Sequence, residues 1–139
     1  METAPVRKKQ LEFIGNILKQ FPNSIVTGDF NFDSSRNFTI IEGVPLENDN
    51  LKLHLPSHQD IWPTLHPDEK GFTFDSVCNK VIHHHEQMRY DRIMFFSQAQ
   101  TWKSKVIDLV GTELIGEENG KPVFPSDHFG RVAEFEFVH

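Results

Sequence analysis

The chain has 139 residues, of which 37% are hydrophobic and 24% charged, with a formal net charge of −6. That length serves one domain with a single core, or a part of a larger one, and the composition makes a folded soluble protein the default. The acidic balance excludes a globally basic nucleic-acid footprint, though not a local basic groove. Cys78 is the only cysteine, so an intramolecular disulfide is excluded. No apolar run approaches the roughly 20 residues that cross a bilayer, and "METAPVRKKQ" lacks the apolar stretch of a signal peptide. A cytoplasmic or nuclear location with no membrane partner is the expectation.

Residues 5–21 have helical periodicity. Leu11, Ile14, Leu18 and Phe21 recur at three- and four-residue spacing, Pro5 suits a first turn and Pro22 stops the run. "PNS" makes a turn, and Ile25 to Thr27 form a short strand running into Gly28. Residues 33–57 read as mixed, with "DSSRNF" loop-like or the opening of a short helix and "EGVPLENDN" a loop. Residues 58–71, "HQDIWPTLHPDEKG", hold two prolines and read as a connector in which Trp62 anchors a core. Phe72 to Phe74 form a brief strand, and "NKVIHHHEQM" is a loop or hairpin tip. Tyr90 to Ser97 form a strand buried on both faces, because Ile93 to Phe96 are contiguous apolar residues. "SKVIDLVG" is an irregular strand and "GEENGKPVFPSD" a polar loop. "GRVAEFEFVH" alternates as a final strand, with Val132, Phe135 or Phe137 inward. One long helix followed mostly by strands predicts a sheet with helices on one side.

Three stretches carry chemistry. In "VTGDFNFD", residues 26–33, strand alternation points Asp29 and Asn31 the same way and turns Phe30 into the core, while Gly28 lets a neighbouring group approach the backbone. A carboxylate beside an amide orients or deprotonates a water and donates to an oxyanion; alone, the pair is also ordinary turn chemistry. In "YDRIMFFS", Asp91 opens the buried strand, where an aspartate is either a solvated cap or the acceptor that fixes a histidine tautomer. In "FPSDHFG", Asp127 and His128 sit in a loop just ahead of the last strand, where catalytic groups concentrate.

In this order "GDFN", "YDRIMFFS" and "PSDHFG" resemble the C-terminal half of the endonuclease/exonuclease/phosphatase superfamily, the DNase I-like metal-dependent phosphodiesterases. "GFTFDS" and "VIDLVGTELIG…VFPSDHF" resemble its tyrosyl-DNA phosphodiesterase 2-like branch. The resemblance, over roughly residues 7–139, implies half of a four-layer αββα sandwich: an α/β (α+β) fold with one mixed, mostly antiparallel sheet and helices on one face. Residues 1–139 are then the C-terminal portion of the domain, without its N-terminal half. Asp29 resembles the residue that orients or activates the attacking water, and Asn31 a donor to the scissile phosphate. His128 resembles the histidine on a non-bridging phosphate oxygen, Asp91 its partner, and Asp127 a residue close to the metal. Phe74 falls where the branch places an aromatic beside the substrate strand; its structural alternative is a core phenylalanine.

The implied cofactor is Mg2+ or Mn2+. Its site is not completed here, because the superfamily's metal-binding glutamate comes from the N-terminal half and Asp127 alone cannot hold such a cation. Glu2 has no apolar strand to hold it and is not assigned to metal. The implied substrate is nucleic acid or a 5′-phosphotyrosyl protein–DNA adduct. Within the superfamily it is alternatively an inositol phosphate, a lipid or a nucleotide-derived cofactor. The alternative of another class is an inactive fragment that binds or oligomerises. The face left by the missing half is expected to be apolar and to favour that half or a second copy as partner. The histidines at 83–85 and Glu86 read as a solvated loop, since adjacent side chains point apart, and "RKK" at 7–9 as a solvated helix start.

Overall fold

The computed structural model describes residues 3–39 and 41–138, so Glu2 lies outside the described residues. Helix α1 spans Ala4–Leu18 with proline in its first turn. It stops three residues short of the predicted end. The residue before a proline is pushed out of helical backbone, so Phe21 leaves the stripe and is exposed.

Strand β1, Asn23–Asp29, runs antiparallel to β5, Asp91–Ser97. The two-residue β2, Gln59–Asp60, pairs with the other side of β5, giving the order β1-β5-β2. Side chains of β5 alternate between two cores. Met94 joins Leu11, Phe32, Leu51 and Leu55 under α1. Ile93 and Phe95 join Ile61, Trp62 and Ile107 on the opposite face. That explains the contiguous apolar run: a strand covered on both sides has no polar face to present.

The remaining described ladders are also antiparallel. Strand β3, Phe74–Asp75, pairs with β4, Gln87–Met88, and β6, Trp102–Val110, pairs with β9, Gly130–Phe137, through a bulge between Ser104 and Val106. On β9, Ala133 and Phe135 face the second core. Val132 and Phe137 are half exposed, which corrects the inward choice for both.

Three segments read as loop are ordered. Helix α2, Asp49–His54, and helix α3, Ile61–Leu65, are six and five residues long, too short for periodicity to show. Pro63 sits in the first turn of α3, where its missing N–H has no intrahelical partner to lose. The supposed polar loop holds a hairpin of β7, Gly116–Glu118, and β8, Lys121–Val123. Asn119 and Gly120 both have positive φ, as a tight hairpin turn requires.

Candidate functional site

The site begins with a register. Pairing of β1 with β5 sets Asp29 directly opposite Asp91, at the end where β1 runs out and β5 begins. Two like charges in that position repel, so something cationic is called for. The protein supplies an imidazole: His128 Nδ1 donates to Asp91 Oδ2 at 2.7 Å. One ligand atom each from Asp29, Asp91 and His128 lies within 4.8 Å of the others, with Asp29 exposed and its two neighbours half-buried.

Local chemistry shapes the first arm. Gly28 takes φ 144°, a value that side chains resist. Space around it is open, so conformation, and not the expected close approach, is what glycine serves here. The strand ends at Asp29, and Asn31 turns into left-handed backbone at φ 54°. Its backbone N–H donates to Asp29 Oδ1 at 2.7 Å and its amide to Oδ2 at 2.9 Å. The two side chains meet as predicted, but through this turn and not through strand alternation. Phe30 packs against the first core, and its N–H donates to Tyr90 O.

Thr73, fully buried, joins the second and third arms. Its hydroxyl accepts the N–H groups of Tyr90 and Asp91 at 3.1 and 3.0 Å, and its carbonyl accepts the N–H of Phe129 at 2.7 Å. Buried Asn79 ties down the loop before His128 by donating to Ser126 O at 2.8 Å. Phe74 is half-buried, with its ring edge toward His128 at 5.1 Å. Asp127 is exposed beside Ser126 and stands outside the Asp29, Asp91 and His128 group.

Behind the site lies a cationic layer that the sequence pattern did not reveal. Arg92, 1% exposed, donates to Phe32 O at 2.7 Å and to Asn48 Oδ1. Arg89 Nη1 donates to Asp60 Oδ2 at 2.6 Å. Arg131 donates to Asp91 O at 2.8 Å and to Gly71 O at 2.5 Å, with its guanidinium 4.2 Å from the Trp62 ring centroid. Burial, and then the charge of Arg89, push Arg92 and Arg131 down to about 10; both stay protonated at neutral pH. Arg7, read as a solvated helix start, forms a two-pronged pair with Glu47 at 2.5 and 2.7 Å. Glu86, read as solvated, is buried. "FDSS", residues 32–35, carries one usable signal for Asp33, since Asp followed by Ser two residues later is turn chemistry. Nothing local marks Asn79 or Arg92.

A cleft of about 390 Å³ runs between α1 and the open edge of β1, lined by Phe13, Ile14, Val26, Asp29 and Asn31 among others. As a cation site the group is a partial fit. Two carboxylates and an imidazole are suitable donors, but Mg2+ favours six near-ideal ligands, mostly oxygen. The carboxylate atoms here are also engaged with Asn31 and His128.

Comparison with protein-family models and with curated proteins finds no match. Solved structures do match. The chain is similar to TDP2 of D. rerio, in a complex with a single-strand DNA product, with a TM-score of 0.72 and 24% identity over 97% of this chain and 51% of that one. A humanised D. rerio TDP2 follows at 0.66 and 21%, covering 96% and 50%, and a truncated TDP2 of Caenorhabditis elegans at 0.63 and 23%, covering 98% and 50%. The chain therefore spans about half the length of these structures. No helix among the described residues is long and apolar enough to cross a membrane. At the level of fold, the chain is a mixed α/β structure of small antiparallel sheets and few helices, similar to about half of a TDP2 structure.

Proposed function

We propose that this chain is the C-terminal portion, residues 1–139, of a metal-dependent phosphodiesterase that hydrolyses phosphodiester bonds in nucleic acid or in a 5′-phosphotyrosyl protein–DNA adduct. The observation that carries the reading is the meeting of Asp29, Asp91 and His128 within 4.8 Å at one end of the β1–β5 pair. The single-strand DNA product bound by the D. rerio neighbour supports nucleic acid over a phosphorylated small molecule. The exposed Asp29 carboxylate orients the attacking water. Asn31 spends one amide hydrogen on Asp29 and offers the other to the phosphate. Asp91 holds Nδ1 of His128, so Nε2 is the nitrogen available to a non-bridging oxygen, where positive charge stabilises the five-coordinate transition state. Mg2+ or Mn2+, if bound here, would supply Lewis-acid polarisation of a phosphoryl oxygen. Asp127, exposed beside Ser126, would lie close to that metal, and Phe74 borders the path of the substrate strand.

In this reading the rest of the domain completes the metal site, and the chain alone is inactive or impaired. Two observations support a missing partner surface: β1 pairs only with β5 among the described residues, and Phe13 and Ile17 project on the adjacent face of α1. A cytoplasmic or nuclear location fits a nucleic-acid substrate.

The test is hydrolysis of a 5′-tyrosyl oligonucleotide and of a small aryl phosphodiester, with and without Mg2+. The chain is assayed alone and with the N-terminal half of a TDP2 supplied in trans. Complemented activity should fall by about 100-fold or more in Asp29→Asn and in His128→Ala. Hydrolysis that survives His128→Ala undiminished removes the reading.

A further inference from the structure

Beside the candidate site runs a line of side chains that the reaction does not use. Glu86 is a buried carboxylate. Its Oε1 accepts the phenol O–H of Tyr90, its Oε2 accepts His84 Nε2 at 2.8 Å, and its backbone N–H donates to Ser76 Oγ at 2.9 Å. The Tyr90 ring then stacks on His128, with centroids 6.0 Å apart and planes 30° from parallel. Phe74 completes a triangle with the two rings, 5.9 Å from Tyr90 and 5.1 Å from His128. A carboxylate placed out of water is costly unless it is hydrogen-bonded. This one is spent on anchoring a phenol, and the phenol ends on the imidazole.

We propose that Tyr90, held by Glu86, is a positioning residue that fixes the plane of the His128 ring. The Asp91 bond alone fixes one nitrogen and leaves the ring free to swing about it. A phenyl face on one side and an aromatic edge on another remove that freedom. The backbone of Tyr90 reaches the other half of the site as well, because its carbonyl holds the N–H of Phe30, between Asp29 and Asn31. Burial, with the hydrogen bond to Glu86, pushes the phenol well above its ordinary range, so it remains a neutral donor through the working pH. The consequence for phosphate rests on the reading of His128 as its contact; the strut itself does not.

The test uses NMR on the 139-residue chain, with inorganic phosphate as probe. The wild-type His128 ring should be rigid on the ps–ns scale, with cross-relaxation to the Tyr90 ring. Tyr90→Phe keeps the phenyl face and loses the anchor. It should lower the order of the His128 ring and weaken phosphate binding by about tenfold. Glu86→Ala should do the same, and the double variant no more, because the two act as one unit. Glu86→Gln retains an acceptor for the phenol and should restore both readouts, which a loss of general stability does not predict. A His128 ring equally ordered in Tyr90→Phe overturns the proposal, as do losses that add in the double variant. If phosphate leaves the wild-type His128 signals unmoved, the reading of His128 as a phosphate contact in this chain falls, while ring order still decides the strut.

Discussion

Asp33, 2% exposed, shows how a single carboxylate can organise a site without joining the Asp29, Asp91 and His128 group. Its Oδ2 accepts from Ser35 N and Oγ at 2.8 and 2.7 Å, and its Oδ1 from Arg89 N at 2.6 Å. The "GDFNFD" turn is thereby tied to the residues just ahead of β5. Burial pushes the Asp33 carboxyl up, but the donors from Arg89, Ser35 and Ser34 outweigh it and hold the group below the ordinary carboxylate value of 3.8. A folded value below the unfolded one stabilises above the unfolded pKa, and that stability is lost as pH falls through the folded value. Asp33→Asn should therefore cost about 1–3 kcal/mol at pH 7 in urea unfolding. The gap to the parent should narrow below about pH 4; a constant gap down to pH 3 contradicts the account. Thr73 is the second such residue. Thr73→Val preserves volume but leaves two buried N–H groups without an acceptor, for an expected loss of about 1–3 kcal/mol, whereas Thr73→Ser should lose less. Thermal unfolding of the two variants measures the difference.

At the scale of elements, α1 packs on the end of α2 through Gly15. A β-carbon there would lie 2.1 Å from the carbonyl oxygen of His54. In an exposed helix, glycine to alanine gains about 1 kcal/mol. Here the clash is with backbone, which cannot turn aside, so Gly15→Ala should instead destabilise by about 1–3 kcal/mol. A rise in denaturation midpoint would count against the packing. The elements that sequence located best were α1, β1, β5 and β9, the first for its helical stripe, β5 for its contiguous apolar run and β9 for its alternation. Helices α2 and α3 offer less than two turns each, and their helical state comes from burying Leu51, Ile61 and Trp62. The β7–β8 hairpin reads as a polar loop because its flanks are polar, although Asn-Gly between two runs is a strong short hairpin signal.

For the whole molecule, the organising element is β5, with one core on each face. Ile107, fully buried beside Ile93 and Phe95, belongs to the second core, and Ile107→Ala should cost about 2–5 kcal/mol in chemical denaturation. The surface beside β1 is the converse case. Phe13 and Ile17, 68% and 40% exposed and four residues apart, form an apolar face next to an unpaired strand edge. Replacing both with lysine should reduce binding of a hydrophobic dye and any self-association seen in sedimentation. Stability should shift by no more than about 0.5 kcal/mol per site.

What the sequence alone determined is local: which residue types carry the chemistry, that Asp29 and Asn31 point together, that Asp91 opens a doubly buried strand, and that His128 precedes the last strand. These follow from periodicity, glycine and Asx chemistry, which act over a few residues. Only the tertiary structure decided that Asp29 faces Asp91, that Thr73 joins two loops, and that Glu86 reaches His128 through Tyr90. Those contacts depend on strand register and on burial between segments as far apart as Asp29 and Asp91. Register is set by how side chains fill two cores together, a property of the assembled molecule and of no single stretch within it.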